Sequence, residues 1–140
     1  MNIYFSCSIT GGRQDQHIYE MIVNHLLEQN HKVPTAELAD PDILKAEALI
    51  SADEVFSRDI RWVDECDVVI AEISTPSHGV GYEIAYALSI NKPVLCLFEN
   101  GKRVSKMLLG NHQPGFSIYT YGSFEECRKR IDVFLGNNTR

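Results

Sequence analysis

Two acids stand out in this chain for the company they keep. Asp59 lies in a helical pattern, residues 52–65, whose Val55, Phe56, Ile60, Trp62 and Val63 fall on one arc of a helical wheel. Asp59 sits near the centre of that arc, while Ser57, Arg58, Arg61 and Asp64 take the opposite, polar side. An acid on a core-facing stripe is paired, hydrogen-bonded or functional, because an unpaired buried carboxylate is costly. Partial desolvation keeps its proton on to higher pH. A structural aspartate bonded to a backbone N–H or a tyrosine is the ordinary alternative. Glu83 falls in the first turn of a second helical stretch, residues 79–90, on the flank of the Val80, Ile84, Ala87 and Leu88 stripe. The positive end of a helix favours its ionised form; a solvated first-turn glutamate is the ordinary alternative there. One acid poised to ionise and one poised to keep a proton is how paired carboxylates divide into nucleophile and general acid. Cleavage at an anomeric carbon uses such a pair, about 5 Å apart across the bond.

The segment from Ser74 to Gly81 follows a strand-like run and opens the helix of Glu83. Its Ser77, Gly79 and Gly81 offer a hydroxyl, close backbone approach and helix N-terminal N–H groups, a fitting cradle for an anion. A plain strand-to-helix turn with Ser77 as N-cap explains the same residues. Tyr4, in an apolar run, either orients a carboxylate at the mouth of the fold or is a core tyrosine with a satisfied hydroxyl. The basic cluster at residues 101–106 supplies phosphate contacts or is a solvated helix start. His78 lies within the anion loop, but no histidine has ligand spacing; His17, His25 and His31 read as surface or turn positions and His112 as loop. Glu72 breaks an apolar run and is a minor candidate for a supporting hydrogen bond. Tyr82 and Tyr86 fall on the outward half of their helix, and Tyr86 suits an interface.

The elements that must position these groups alternate along the chain. Residues 2–8, 67–73 and 92–98 are short apolar runs of the kind buried on both faces of a parallel sheet, with weaker strands at 31–35 and 116–120. Helical patterns cover roughly residues 15–29, 52–65, 79–90, 103–109 and 123–135, and 41–50 adds another. Alternation of this kind predicts one α/β domain spanning residues 1–140, a doubly wound, flavodoxin- or Rossmann-like fold. It has a five-stranded parallel sheet in the order 2-1-3-4-5. Ligands of such sheets bind beyond the carboxyl ends of the strands. That places the site at residues 8–13, 74–81 and 99–105.

Composition narrows the partners. The chain has 140 residues, 13 Lys and Arg against 19 Asp and Glu, and a formal charge of −6. That balance disfavours broad nucleic-acid binding, which needs a basic face. No run approaches the ~20 apolar residues of a membrane span, and the first residues do not read as a signal peptide. Cys7, Cys66, Cys96 and Cys127 lack CxxC spacing and read as reduced thiols of a cytoplasmic protein, neither a disulfide frame nor a zinc site.

Taken together the motifs resemble a known family. Residues 4–13, reading YFSCSITGGR, Arg58-Asp59 followed by Trp62, and residues 71–83, reading AEISTPSHGVGYE, do so in order. Residues 92–98 and 103–107 continue the match. The pattern resembles that of 2′-deoxynucleoside 5′-phosphate N-hydrolases of the nucleoside 2-deoxyribosyltransferase superfamily. The resemblance implies that Glu83 attacks C1′ and forms a deoxyribosyl 5-phosphate enzyme intermediate. It implies that Asp59 assists departure of the base and then activates water, and that Tyr4 positions the nucleophile. Ser8, Ile9, Thr10, Gly11 and Arg13 of the first loop, with Ser77, Gly79 and Gly81, would hold the substrate and its phosphate. Ser105 matches a serine that reaches the phosphate from the partner subunit of a homodimer. The chain departs from the family at Cys7, where glycine is common, and at Thr10, where arginine is common.

The sequence therefore predicts a homodimeric hydrolase of 2′-deoxynucleoside 5′-monophosphates that needs no metal or organic cofactor. The enzyme alternatives are a nucleoside 2-deoxyribosyltransferase and a ribonucleotide N-glycosidase of the CMP type. A non-catalytic nucleotide sensor on the same scaffold is the alternative of another class.

Overall fold

Four segments pair as parallel strands: β1 (Ile3–Ser6), β2 (Val68–Glu72), β3 (Val94–Glu99) and β4 (Phe116–Tyr121), in the order β1-β2-β3-β4. The computed structural model describes residues 1–9, 14–40 and 42–139. Thr10, Gly11 and Arg13 lie outside the described residues. The fifth strand expected at residues 31–35 is reduced to a parallel bridge between Asn2 and Lys32, beside β1. The chain itself explains the loss. Pro34 has no N–H for a ladder, and Thr35 turns its hydroxyl inward to accept from the Phe5 N–H at 3.0 Å. The expected strand order stands without its edge member.

Successive strand residues face opposite sides of a sheet, and here the two sides carry separate cores. Ile3, Phe5, Ile70, Leu95 and Leu97 pack beneath α1 (Gln16–Glu28) and α6 (Phe124–Asn138). Tyr4, Val69, Ala71, Val94 and Cys96 pack beneath α3 (Ala52–Glu65) and α4 (His78–Ser89). Two short helices complete the described chain, α2 (Ile43–Glu47) after a 3₁₀ turn (Ala36–Ala39), and α5 (Lys106–Leu109).

Helix starts are written in the sequence. Ser51 and Glu54 form a reciprocal capping box at the head of α3, and Ser77 caps α4 by accepting from the Val80 N–H. His25, expected at the surface, is buried with its Nε2 2.7 Å from Asp132 Oδ1, because α6 covers that side of α1. All four cysteines are unbridged and buried. Burial pushes the thiols of Cys66, Cys96 and Cys127 up, to about 11, 12 and 12. No helix among the described residues is long and apolar enough to cross a membrane.

Candidate active site

Strand alternation puts Tyr4 and Ser6, two residues apart on β1, on the same side of the sheet and under the first turns of α4. Both hydroxyls donate to the Glu83 carboxylate, Tyr4 to Oε1 at 2.9 Å and Ser6 to Oε2 at 2.5 Å. Tyr4 is itself 1% exposed, and burial together with the neighbouring Glu83 and Asp59 carboxylates pushes its phenol well above the usual range. It therefore stays a donor. Sequence reasoning anticipated Tyr4 but missed Ser6, although the i, i+2 spacing on one strand was the available signal.

Glu83 opens onto a cleft of about 620 Å³. Cys7 and Ile9 line it after β1, Ser77 and Gly79 at the start of α4, and Val55, Phe56, Asp59 and Ile60 on α3. The apolar stripe read in residues 52–65 therefore faces the cleft more than the core, and of its members only Val63 is fully buried. Asp59 stays at the centre of that stripe and so looks into the cleft beside Glu83. At the mouth, Phe56 and Tyr82 meet edge to face with ring centroids 6.1 Å apart, each about half exposed.

Both acids are displaced toward their protonated forms. Burial pushes Glu83 up to about 7, and its two hydroxyl donors only partly offset that. Burial also raises Asp59 above its ordinary value, opposed by the guanidinium of Arg58. Arg58 is a correction. Placed by the wheel on the polar side, it instead folds back and donates from Nε to Asp59 Oδ1 at 2.8 Å. Its two terminal nitrogens reach Glu47 at 2.7 and 3.3 Å, while Ser57, Arg61 and Asp64 are exposed as expected.

The predicted anion contacts divide between two places. Ser77 and Gly79 line the cleft, whereas Gly81, His78, Arg103 and Ser105 line a neighbouring groove of about 450 Å³ that also reaches Ser77. An added Cβ would come no closer than 3.9 Å to a heavy atom at Gly79 and would meet nothing within 4 Å at Gly81. The fold itself therefore requires neither glycine. Ser8 is fully buried and does not line the cleft, and its hydroxyl has no hydrogen-bond partner among the described residues. Of the basic cluster, Lys102 sits 3.8 Å from Asp15 and 3.7 Å from Glu99, and Lys106 is exposed outside both cavities. Tyr86 donates to Asp64 of α3 at 2.7 Å. Among the described residues no cluster of His, Cys, Asp or Glu is arranged to hold a metal ion.

Comparison with known proteins decides the family. The profile described as nucleoside 2-deoxyribosyltransferase matches residues 3–126. The chain belongs to the nucleoside 2-deoxyribosyltransferase family. A 5-hydroxymethyl-dUMP N-hydrolase of Danio rerio is 40% identical over 124 residues, covering 86% of this chain and 87% of that one. The enzyme of the same name from Rattus norvegicus is 38% identical over 129 residues, covering 89% and 78%. A solved CMP N-glycosidase of Clostridium botulinum superposes with a TM-score of 0.72 over 94% of this chain and 98% of its own, at 21% identity, and so shares the fold. The cleft shared by Asp59 and Glu83 opens beyond the carboxyl end of β1 and at the head of α4, the edge at which sheets of this kind bind ligands.

Proposed function

We propose that this protein hydrolyses the N-glycosidic bond of 2′-deoxynucleoside 5′-monophosphates, releasing the free base and 2-deoxyribose 5-phosphate. The observation that carries the reading is the Glu83 carboxylate, gripped by Tyr4 and Ser6 and facing a cleft it shares with Asp59. In the first step ionised Glu83 attacks C1′ while protonated Asp59 gives its proton to the departing base. The C1′–N bond breaks as the C1′–O bond to Glu83 forms. In the second step Asp59 takes a proton from water, the water oxygen attacks C1′, and Glu83 leaves as carboxylate. The two hydroxyls on Glu83 restrain it to one approach line, which is where positioning lowers a barrier.

The half-exposed Phe56 and Tyr82 rings give the base an apolar ledge. Ser77 and the glycine-lined start of α4 favour a phosphate, joined in this reading by Ile9, Thr10, Gly11 and Arg13 of the first loop, while the buried Ser8 takes no part. Ser105 lies in the adjoining groove, and its part is to reach the phosphate of a second copy, making the working unit a homodimer of single-domain chains. Four buried thiols suit a cytoplasmic setting. No metal or organic cofactor enters either step.

The test is a panel of deoxy- and ribonucleoside 5′-monophosphates incubated with the protein, with base release followed by chromatography, with and without a second free base. Base and sugar phosphate from the deoxynucleotides alone support the reading. Exchange into the added base identifies a transferase, release from CMP a ribonucleotide glycosidase, and binding without release a sensor. The rate should rise as pH increases through about 7, where Glu83 ionises.

A further inference from the structure

The ion pair behind Asp59 joins two separate elements. Arg58 offers one edge of its guanidinium to Asp59 and the other, bidentate, to Glu47 at the end of α2. The side chains of Arg58, Glu47 and Asp59 are 18, 14 and 16% exposed, so none is a loose surface charge. The guanidinium carbon lies 4.9 Å from the centroid of Trp62, one turn along α3, which supports its flat face. Arg58 does not line the cleft, whereas Asp59 and Glu47 do. Whatever Arg58 does for the reaction, it does through Asp59.

We propose that Arg58 is the positioning residue of Asp59, with Glu47 as its counterweight, so that the α2–α3 ion pair fixes Asp59 against the cleft and couples its charge to that of Glu47. The planar fork matters here. A guanidinium can satisfy two carboxylates at once in fixed directions, which a lysine ammonium cannot. Two acids sharing one cation also oppose each other. Arg58 draws Asp59 toward the carboxylate form, and Glu47 pushes it back toward the acid. A general acid needs that balance, since a fully neutralised carboxylate would not carry a proton to the leaving base. Asp59 also meets the charge of Glu83 from α4 and the phenol of Tyr4 from β1. Those two interactions are common to every variant below.

The inference rests on the hydrolase reading for its catalytic meaning, and its test is separable from that reading. Titrations of Asp59 are followed by carboxyl-carbon NMR in the wild type and in the Arg58→Gln, Arg58→Lys and Glu47→Gln variants, alongside rates on a deoxynucleoside monophosphate. Removing the cation should move the Asp59 midpoint up, and removing Glu47 should move it down. Arg58→Lys should fall between wild type and Arg58→Gln. The part of the pH–rate profile governed by Asp59 should shift in the same directions. In Arg58→Gln kcat should drop on the order of tenfold with little change in KM, since Arg58 stays off the cleft surface. Trp62, the single tryptophan of the chain, reports loss of the stacked cation by its fluorescence. Opposite shifts in the two variants support the proposal even if no nucleotide is cleaved, in which case only the hydrolase reading falls. Lowered melting temperatures with an unmoved Asp59 titration would overturn it, as would shifts of the same sign. Should Arg58→Gln fail to fold, the Glu47→Gln titration decides alone, and an unshifted midpoint there refutes the idea.

Discussion

Two glutamates sit on opposite faces of the same sheet in nearly the same chemical surroundings. Glu72 ends β2 beneath α1 and α6, accepting from the Ser74 hydroxyl and N–H and from the Tyr121 hydroxyl at 2.8 Å. Glu83 accepts from a serine and a tyrosine too, Ser6 and Tyr4. Burial pushes both up to about 7. Glu72 is fully sealed, whereas Glu83 opens onto the cleft with a second acid beside it. A displaced titration therefore does not mark the reactive group by itself. Access to solvent-sized space and a partner acid do. The buried member is better read as a brace, because the hydroxyl of Ser74 also accepts from the Glu99 N–H at 2.8 Å and so ties β2 to the end of β3.

The sharpest way to break this comparison is to remove each carboxylate in turn. Glu83→Gln should lower turnover on the order of 10⁴-fold or more, as expected for loss of a nucleophile, while Glu72→Gln should stay within a few-fold of wild type. Comparable losses in steady-state assays of the two variants would erase the distinction. Asp59→Asn comes next, with a loss of about 10²- to 10³-fold that is greatest for poor leaving bases. The check is a rate series across bases of graded acidity. Stability then separates charge from function. Glu83 titrates higher folded than unfolded, so its contribution is complete below about 4.5 and is lost as pH rises through about 7. Glu83→Gln should therefore melt like wild type near pH 4.5 and gain up to about 3 kcal/mol of stability relative to it by pH 8, read from denaturant curves. The smallest effect expected is at the tyrosines. Tyr4→Phe should slow turnover about tenfold and raise the pH at which activity appears, since a donor to the carboxylate is gone. Tyr121→Phe should leave the rate alone and cost about 1–3 kcal/mol of stability.

Much of the layout was legible because local signals and tertiary demands agreed. Continuous apolar runs named three of the strands and a weaker pattern at residues 116–120 the fourth, and the apolar arc of residues 52–65 gave that helix to its ends, where the structure adds a capping box. The missing edge strand was misread because Val33 and Thr35 favour strands while Pro34 prevents the ladder. Asp59, Glu83 and Tyr4 were readable as acids and a hydroxyl set in apolar patterns. Arg58 was not, since a wheel records direction and takes no account of how far a long side chain reaches back. Glu47 was out of reach altogether. Its contact with Arg58 depends on how α2 folds over α3, and no periodicity encodes that. The upward displacement of Glu83 was not foreseen because a helix end is a local feature, whereas burial is a property of the whole fold.

The parallel ladder also predicts an order of assembly. Val69 pairs with Val94, and Val94 with Phe116, across connections of a single helix or less, whereas Ile3 must find Val68 across α1, α2 and α3. The longest loop is expected to close last, because its entropy cost is the largest and must be met before its contacts form. β1, the strand in that final closure, carries both hydroxyls that grip Glu83. Partly folded chains would then hold β2 to β4 and the Glu83 helix while lacking the grip on its carboxylate, and catalytic competence would arrive with the last strand.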